Sequence, residues 1–440
     1  MKTVRFQSLI DEGLLQIGDG YRAKMEELTG TGYPFLRGEA VLERHIAVEG
    51  NERFLESLSP KLGPKLSRAG DTVVTTKGNS TGRAAYVRPD LPTFVYSPHL
   101  SFWRSLDHDK LHPGFLREWA HGPEFLGQLN GMKDSTDMAP YLSLTDQRRL
   151  EITLPLPDAQ QAIAGVLGAL DDKIELNRRM NRTLEELAAA LFRSWFVDFD
   201  PVVAKAAGRK PAHLRPALAA LFPAHWQDSP LGPIPHGWDA KPIGDVVKVV
   251  GGTTPSTNEP KFWNGDIAWA TPRDLAALSD PVLIATARQI TPAGLNEISS
   301  GLLPKGSVLL SSRAPIGYTV ISDIPVAVNQ GFIALLCDGP LPNYYVLEWV
   351  RENMETIEGR ANGTTFMEIS KTNFRPIQVV VPPPTVLEKF MEIASPWWRQ
   401  VIHNVRESRT LAALRDTLLP RLLSGELRVK SAEKLVEATA

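Results

Sequence analysis

The chain has 440 residues, 43% hydrophobic and 22% charged, which is typical of a globular protein, and its length predicts two to four domains of roughly 100–200 residues. Because its 48 basic and 50 acidic residues give a formal net charge of −2, a nucleic-acid-binding function would require local basic clusters or partners that supply the phosphate contacts. The single cysteine, Cys337, excludes an internal disulfide and a zinc site of several cysteines and indicates a cytoplasmic location, and the sequence predicts neither a membrane span nor a secretory leader.

The first 154 residues predict a mixed α/β domain. Residues 4–20 (VRFQSLIDEGLLQIGDG) open it, and residues 68–87 (RAGDTVVTTKGNSTGRAAYV) predict a β-hairpin, because strand-like runs flank a glycine-containing turn. Leu150, Ile152 and Leu154 then alternate with other residues in a short strand that ends at prolines, which cannot continue a strand ladder.

A long helix is predicted next, from about Asp158 to Val197. Its seam residues recur in steps of four and three, which is typical of a coiled coil over roughly four heptads. Asp158 is the expected N-cap. The seam comprises Ile163, Leu167, Leu170, Ile174, Asn177, Asn181, Leu184, Ala188 and Leu191.

The second half of the chain repeats this order of elements. Residues 198–238, rich in proline and alanine, predict a linker with one short helix near residues 214–221. The stretches that repeat those of the first half are residues 238–256 (WDAKPIGDVVKVVGGTTPS), residues 304–321 (PKGSVLLSSRAPIGYTVI) and the strand of Ile377, Val379 and Val381.

A second long helix carries a matching seam, in the same register and with a polar pair at its centre. Thr385 is the expected N-cap, Pro396 is expected to kink or delay this helix, and Pro420 is expected to kink or end it. Gly425 is a suitable stop. The second seam comprises Phe390, Ala394, Trp397, Val401, Asn404, Ser408, Leu411, Arg415 and Leu418.

Two further groups of residues on the predicted helices need an explanation: aromatic residues on both helices and basic residues on the first helix. The aromatic residues are too many for a two-helix seam and are expected to pack on the flanking domains or to meet a partner; the basic residues form either a solvated face or a contact surface for DNA or a partner. These groups are Phe192, Trp195, Phe196, Trp397 and Trp398, and Lys173, Arg178, Arg179 and Arg182.

The predicted fold class is α+β: two similar mixed α/β domains joined by two long helices that form one intramolecular coiled coil. Each helix of about 39 residues would be about 58 Å long, and such a rod could hold two binding surfaces a set distance apart. Half-sites one turn of DNA apart are about 34 Å from each other, which the rod can span. The predicted boundaries are 1–154 for the first domain, 155–199 for the first helix, 200–235 for the linker, 236–383 for the second domain, 384–426 for the second helix and 427–440 for a C-terminal tail.

Four motifs occur in a specific order along this repeat. They are residues 196–209 (FVDFDPVVAKAAGR), 231–246 (LGPIPHGWDAKPIGDV), 251–275 (GGTTPSTNEPKFWNGDIAWATPRDL) and 418–427 (LLPRLLSGEL). With the repeat, they resemble the specificity (S) subunit of type I restriction-modification enzymes. The resemblance covers nearly the whole chain and is weakest in residues 1–140.

The resemblance implies a non-catalytic, cytoplasmic subunit with two target recognition domains, each of which reads one half of a bipartite site in double-stranded DNA. It also implies that the two helices pack antiparallel, with pseudo-two-fold symmetry, and dock DNA adenine methyltransferase subunits. An ATP-dependent restriction subunit is a further partner that the resemblance leaves open. S-adenosylmethionine, ATP and magnesium are then expected in the partner subunits, and no cofactor is expected in this chain.

The residues themselves argue against an enzyme. An amino-methyltransferase needs an (N/D/S)-P-P-(Y/F) segment, and the run VVPPPT at 380–385 lacks both its polar first residue and its aromatic last one. There is no phosphate-binding GxxxxGK(S/T) loop. His108 and His112 have a metal-like spacing, but Pro113 follows and no third ligand is suggested, so we expect neither a metal nor catalytic residues. Cys337, in the apolar run IALLC, is expected in a core.

Polar and basic loop residues are the candidates for DNA contact, because their side chains match the donors and acceptors of the grooves. Lysines would mostly neutralise phosphates, whereas Arg, Asn and Gln are better suited to base edges. The first-domain loop is equally compatible with a solvated hairpin turn, and Asn362 with a simple turn. The candidates are Thr76, Lys77, Asn79, Ser80, Thr81 and Arg83 in the first domain, and Thr253, Thr254, Ser256, Lys261, Arg273, Ser312, Arg313, Tyr318, Asn329, Gln330, Arg360, Asn362, Thr364 and Thr365 in the second.

Two other functions are compatible with these patterns. The first alternative is a coiled-coil scaffold without sequence-specific DNA binding, which equal binding to random duplexes would favour. The second is an enzyme, which methylation or cleavage of DNA by the isolated chain would indicate.

Overall fold

The backbone contacts of the computed structural model, which describes residues 1–50, 52–133, 141–363 and 367–437, divide the chain into two units. The first unit contains residues 1–173 and the segment from Thr410 onward, and the second contains residues 174–409. Each unit therefore has one globular part and a portion of each long helix.

The globular part of the first unit is built from short strands and short helices. Its strands are β1 (Lys2–Arg5), β2 (Leu15–Asp19), β3 (Gly32–Leu36), β4 (Val41–Leu42), β5 (His45–Ile46), β6 (Arg53–Leu55), β7 (Thr72–Thr75), β8 (Ala84–Tyr86), β9 (Val95–Tyr96), β10 (Leu100–Ser105) and β11 (Glu151–Leu154). Its helices are α1 (Phe6–Asp11), α2 (Pro113–Trp119), α3 (Pro123–Lys133) and α4 (Leu144–Arg149), with 3-10 turns at Met25–Glu27, Gly38–Ala40, Glu56–Lys61 and Gly63–Lys65, and the first long helix α5 (Pro157–Phe196) follows.

An antiparallel sheet in the order β2-β10-β7-β8 is the centre of this part. It contains the predicted hairpin as β7 and β8, which confirms that prediction. One end of the sheet packs on an aromatic cluster in which the Trp103 ring centroid lies 5.1 Å from that of Phe6 and 5.2 Å from that of Phe125. The strand predicted around Ile152 pairs with β1 as β11.

The second unit has more elements in its globular part. Its strands are β12 (Trp226–Gln227), β13 (Ile234–Pro235), β14 (Asp239–Pro242), β15 (Lys248–Val250), β16 (Trp263–Ala270), β17 (Val282–Leu283), β18 (Arg288–Ile290), β19 (Val308–Ser312), β20 (Ile316–Ser322), β21 (Ala327–Val328), β22 (Phe332–Leu336) and β23 (Gln378–Val381). Its helices are α6 (Asp200–Ala206), α7 (Pro216–Ala219), α8 (Ile243–Val246), α9 (Pro272–Ala276), α10 (Pro292–Asn296), α11 (Asn343–Glu352), α12 (Met354–Gly359) and α13 (Lys371–Phe374), with a 3-10 turn at Pro260–Phe262, and they are followed by the second long helix α14 (Pro384–Leu423) and by α15 (Val429–Glu437).

The second unit repeats the sheet of the first. Its main sheet has the order β15-β22-β19-β20-β17, and the first four strands correspond in chain order and in antiparallel pairing to β2-β10-β7-β8. The pair β14 and β23 likewise corresponds to β1 and β11. Ser143 and Ser370, at equivalent places, cap the short helices α4 and α13 with their hydroxyl groups. The duplication seen in the sequence is therefore a duplication of fold.

The two long helices pair antiparallel. In the second unit, Asn177 of α5 contacts Ser408 of α14, and further along α5 the ring of Phe192 lies 6.3 Å from that of Phe390. Because residue numbers rise on one helix as they fall on the other, the helices run in opposite directions. In the first unit, Asp171 of α5 forms an ion pair with Arg415 of α14.

Most of the predicted seam positions are buried in the helix pair. Those that are buried are Ile163, Leu167, Leu170, Asn177, Asn181 and Ala188 on α5, and Phe390, Ala394, Val401, Asn404, Leu411, Arg415 and Leu418 on α14. Those that are half-buried are Ile174, Leu184, Leu191, Trp397 and Ser408. The fully buried tryptophan is Trp398 rather than Trp397, because Tyr344 of α11 stacks on it with ring centroids 5.4 Å apart.

Both expected N-caps are wrong. The helices begin at Pro157 and Pro384, so Asp158 and Thr385 lie within the first turn. Proline suits the first helical position because its backbone angle φ is already helical and the missing N–H would have no partner within the helix. The backbone ladder of α5 starts at the carbonyl of Leu156, which accepts hydrogen bonds from the N–H groups of Ala159 and Gln160.

The internal prolines do not interrupt the second helix. We expected Pro396 to kink or delay it and Pro420 to kink or end it, but α14 starts at Pro384 and continues to Leu423, so the delay and the stop are wrong. Each proline removes one helical hydrogen bond. Tertiary packing outweighs that loss, since Ala394 and Trp398 on either side of Pro396 are 0% and 1% exposed.

The proline-rich segment between α5 and the second globular part is folded, and the short helix predicted near residues 214–221 is present as α7. It contains α6 and α7, and Val202 and Phe222 are buried in the core of the second unit. The ammonium group of Lys205 donates a hydrogen bond to the carbonyl of Ala219 and another to that of Phe222. The high proline content predicted a linker. Two of these prolines, Pro201 and Pro216, instead occupy helix starts, where proline is favourable.

The aromatic residues at the end of α5 pack on the globular part of the second unit. This is one of the two alternatives that the sequence left open for them. The ring of Phe196 lies 4.9 Å from that of Tyr345 on α11 and 5.2 Å from that of Phe390 on α14. The ring centroids of Trp195 and Phe222 lie 5.1 Å apart. These rings join both helices and the globular part in one core.

Candidate nucleic-acid interface

Candidate residues of the first unit lie on loops at one end of the main sheet. Strands β2 and β7 end there and β8 and β10 begin there, because neighbouring strands are antiparallel. The backbone N–H of Thr76 donates to the carbonyl of His99 over 2.8 Å, and the Thr76 carbonyl accepts from the N–H of Leu142 over 2.9 Å. Three loops are thereby joined at this end of the sheet.

The second unit builds the same junction from equivalent residues. The N–H of Ser312 donates to the carbonyl of Gly331 over 2.8 Å, and the Ser312 carbonyl accepts from the N–H of Ile369 over 3.0 Å. Thr76 and Ser312, which the sequence aligned, are therefore structural equivalents. Their side chains are 4% and 3% exposed, so both stabilise the junction from inside.

The residue after each of these hydroxyl residues is a cation at the same place in the fold. Lys77 forms a β-bridge with Tyr141 and places its ammonium nitrogen 5.1 Å from the centroid of that ring. Arg313 forms a β-bridge with Glu368 and an ion pair with it at 3.6 Å. The two units thus present one basic side chain each at equivalent positions on the rim of the sheet.

A basic cleft of ≈ 770 Å³ adjoins the junction in the first unit. Predicted residues that line it are Lys77, Asn79, Ser80 and Arg83. The sequence missed Arg22, Arg37 and His99, which line the same cleft, because they come from distant loops that only the fold brings together. Thr81, in contrast, is buried, and its hydroxyl donates to the Gly78 carbonyl over 2.7 Å.

The polar loop that follows β15 is anchored at several points. The hydroxyl of Thr253 donates to the Glu297 carbonyl over 3.1 Å, and that of Thr254 to the Gln330 side chain over 2.7 Å. The Thr254–Gln330 contact connects this loop to the junction, because Gly331 is next in the chain. Two predicted loops of the second unit therefore meet.

Two indole groups donate hydrogen bonds to the backbone of the same loop. The indole N–H of Trp263 donates to the Ser256 carbonyl over 3.0 Å, and that of Trp269 to the Thr253 carbonyl over 3.3 Å. The guanidinium of Arg288 lies 3.5 Å from the centroid of the Trp263 ring, in a cation–π contact. Ser256 and Lys261 are exposed on the resulting fixed loop. Arg288 was not a sequence candidate.

The remaining candidates are distributed around this region. Asn362 exchanges two backbone hydrogen bonds of 2.9 Å with Glu368, beside Arg313, and Arg360 lies two residues before Asn362. The Asn329 side chain accepts from the Gly331 N–H over 2.9 Å, so it shapes the junction. Arg273 lies in the first turn of α9 and Tyr318 lies half-buried on β20. Thr364 and Thr365 lie outside the described residues.

Burial shifts the pKa values of several titratable groups. Burial raises the pKa of the Cys337 thiol to about 12, so it stays protonated. Burial raises the pKa of Glu348 to about 7, against the opposing effect of Arg351. Burial, and then His108, lowers the pKa of His112. Within the described ranges, no group of three or more histidine, cysteine, aspartate and glutamate side chains could hold a metal ion, and no helix is long and apolar enough to cross a membrane.

An apolar groove of ≈ 900 Å³ lies in the second unit, away from the sheet end. The segment that contains α6 and α7 forms one wall, and the long helices form the other. Its apolar lining includes Leu191, Val203, Leu214, Leu218, Leu221 and Ile393. Its basic lining residues are Arg209, Lys210, Arg215 and Lys389.

Comparison with known proteins identifies the class. Residues 235–395 match the type I restriction modification DNA specificity domain, a region that contains the sheet end described above and the start of α14. The crystal structure of a type I restriction-modification S subunit from M. genitalium has the same fold, with a TM-score of 0.54 at 17% identity over 96% of this chain and 95% of that one. Residues 235–395 therefore match a DNA specificity domain, and the whole chain shares the fold of that S subunit.

The relatives extend the likeness beyond that domain. The HindI specificity subunit of Haemophilus influenzae is 25% identical over 410 residues, which cover 84% of this chain and 89% of that protein. The MjaIX specificity subunit of Methanocaldococcus jannaschii is 34% identical over 169 residues, 38% of this chain and 39% of that protein. The chain is thus similar to specificity subunits of type I restriction enzymes over most of its length, and residues 235–395 match their DNA specificity domain.

Proposed function

We propose that this chain recognises a bipartite DNA site, with one half-site read by the sheet end of each unit. The observation that carries the proposal is the pair of equivalent junctions, each with an exposed or half-exposed cation, Lys77 or Arg313, beside a buried hydroxyl residue. The match of residues 235–395 to a DNA specificity domain and the similarity to specificity subunits support the same interpretation over a scaffold without sequence-specific DNA binding.

The types of side chain suggest a division of roles. The guanidinium of Arg313 suits a bidentate contact with guanine, whereas the ammonium of Lys77 suits a phosphate. Lys371 is a further phosphate candidate, because its ammonium nitrogen lies close to Gly251, where the anchored loop begins. Local clustering of basic residues, as in the cleft of the first unit, reconciles DNA binding with a net charge of −2.

The proposed partners are adenine methyltransferase subunits and, where present, an ATP-dependent restriction subunit, in the cytoplasm. These subunits would supply S-adenosylmethionine, ATP, magnesium and all of the chemistry. We propose that a methyltransferase segment with apolar anchors and acidic flanks occupies the groove of the second unit. Its half-buried leucines provide apolar contact, and Arg209, Lys210 and Arg215 on the rim complement acidic charge.

The test of DNA recognition begins with methylation mapping of host DNA with and without the gene, followed by binding of the identified duplex. Arg313→Ala is expected to relax specificity in one half-site by ~1–3 kcal/mol, roughly 5- to 150-fold. Lys77→Ala is expected to weaken all duplexes alike and to reduce the salt dependence by about one phosphate contact. Lys241→Ala, at a surface ion pair with Asp239, is the control and should change neither. Equal affinity of the wild-type complex for all duplexes would refute the proposal.

The groove is tested separately by co-purification with the methyltransferase. Leu218→Asp places a charge among the apolar lining residues and is expected to weaken methyltransferase binding at least about tenfold, since a poorly paired charge at an apolar contact costs several kcal/mol. Leu231→Asp, on an exposed leucine outside the groove, is the matched control. Unchanged assembly of Leu218→Asp would exclude the groove as the docking site.

A further inference from the structure

A chain of side-chain amides crosses the helix seam in the second unit. The Gln400 amide donates to the Asn404 side chain, and Asn404 donates to the side-chain oxygen of Asn181, each over 2.8 Å. Asn181 in turn donates over 2.8 Å to a carboxylate oxygen of Asp280. Asp280 belongs to the loop before β17 and not to either helix. The seam amides therefore reach the globular part.

The second seam asparagine makes different contacts. Asn177 is 0% exposed, and its amide donates to Glu407 over 2.7 Å and to Ser408 over 3.2 Å, both on α14. These contacts of Asn177 join helix to helix, whereas Asn181 joins the helix pair to the globular part. Two residues that look identical in the heptad pattern have distinct structural roles.

Asp280, the partner of Asn181, lies close to strand β20, which follows the loop of Arg313. Strand β17, which follows Asp280, pairs in parallel with the far end of β20, with Val282 opposite Ile321. Strand β20 begins just after Arg313 and ends just before Asp323. The side chain of Asp323 is fully buried and pairs with Arg406 of α14. Strand β20 therefore leads from the loop of Arg313 to Asp323, and its neighbour β17 follows Asp280, so both contacts with the helices lie beside β20.

We propose that Asn181 and Asp280 are positioning residues, which fix the second globular part on the helix pair and thereby restrict the spacer lengths accepted between the two half-sites. The inference rests on the proposed function. The Asn181–Asp280 bond is short, partly buried and made at the helix seam, so it resists rotation of the globular part about the helices. Other ties, including the 3.1 Å pair of Arg351 with Glu185, keep the unit folded when this bond is lost.

The experiment uses the full chain with its methyltransferase and duplexes that carry the mapped site with spacers shortened or lengthened one base pair at a time. Asp280→Ala is expected to reduce the discrimination between the best spacer and its neighbours by about tenfold, equivalent to ~1.4 kcal/mol. Asp280→Asn keeps an oxygen that can accept from Asn181 and should retain the wild-type spacer profile.

Asn177→Ala is the matched control. It removes seam hydrogen bonds four residues away without removing a contact to the globular part, so it should lower thermal stability but leave the spacer profile sharp. A broadened profile in Asn177→Ala, or an unchanged one in Asp280→Ala, would overturn the inference while DNA recognition stands. A wild-type complex that prefers no site would overturn the proposed function as well.

Discussion

Asp171→Ala is expected to lower the free energy of unfolding by about 3–5 kcal/mol, the cost typical of removing one partner from a buried ion pair. Asp171 of α5 lies between two cations, with Arg44 at 2.8 Å and Arg415 at 2.6 Å. All three side chains are nearly buried, at 13%, 9% and 10% exposure. Without the carboxylate, two guanidinium groups remain close together in a region that water reaches poorly.

The residue next to it provides the control. Asp172 is 62% exposed and pairs with Arg88 at 2.7 Å, so Asp172→Ala should cost under about 1 kcal/mol, as exposed ion pairs do. Urea denaturation of the two variants compares neighbouring carboxylates of the same helix. Equal losses would show that burial of the Asp171 cluster does not contribute to stability. Because Arg44 also pairs with Glu118 at 2.9 Å, the loss for Asp171→Ala should lie toward the lower part of its range.

Phe390→Ala is expected to destabilise the second unit by about 3–5 kcal/mol, the range for removing a buried phenylalanine side chain. Phe390 is 0% exposed, and its ring lies 5.2 Å from Phe196 of the other helix and 6.3 Å from Tyr345 of α11. The substitution therefore leaves a cavity where both long helices and the globular part meet. Relaxation can fill little of it, because the surrounding rings are large and rigid.

Leu187→Ala on α5 serves as the comparison, because Leu187 is 46% exposed and its truncation should change stability by less than about 0.5 kcal/mol. Thermal unfolding followed by near-ultraviolet circular dichroism reports on the aromatic core directly. A small effect of Phe390→Ala, similar to that of Leu187→Ala, would mean that the aromatic cluster does not hold the helices to the globular part.

The candidate site shows where sequence reasoning succeeds. The equivalence of Thr76 with Ser312, and of Lys77 with Arg313, was visible because hairpins keep a local order of strand, polar pair, cation and turn. Local order is encoded in neighbouring residues, so a repeat exposes it. The sequence analysis missed Arg22, Arg37 and His99 in the first unit and Arg288 in the second. The first three come from separate loops and Arg288 lies against tryptophans, so only the fold brings them to the interface.

Hydrophobic periodicity and turn residues act over a few neighbours, so the duplicated order of strands, the two heptad seams and the polar residues within them could be predicted from the sequence. Three outcomes could not be predicted in this way: α14 continues through two prolines, the proline-rich segment packs into the core, and Asn181 bonds to Asp280 outside the helix pair. These outcomes depend on packing between residues far apart in the chain. Burial energy and hydrogen bonds made across such distances outweigh local preference, and no local pattern records them.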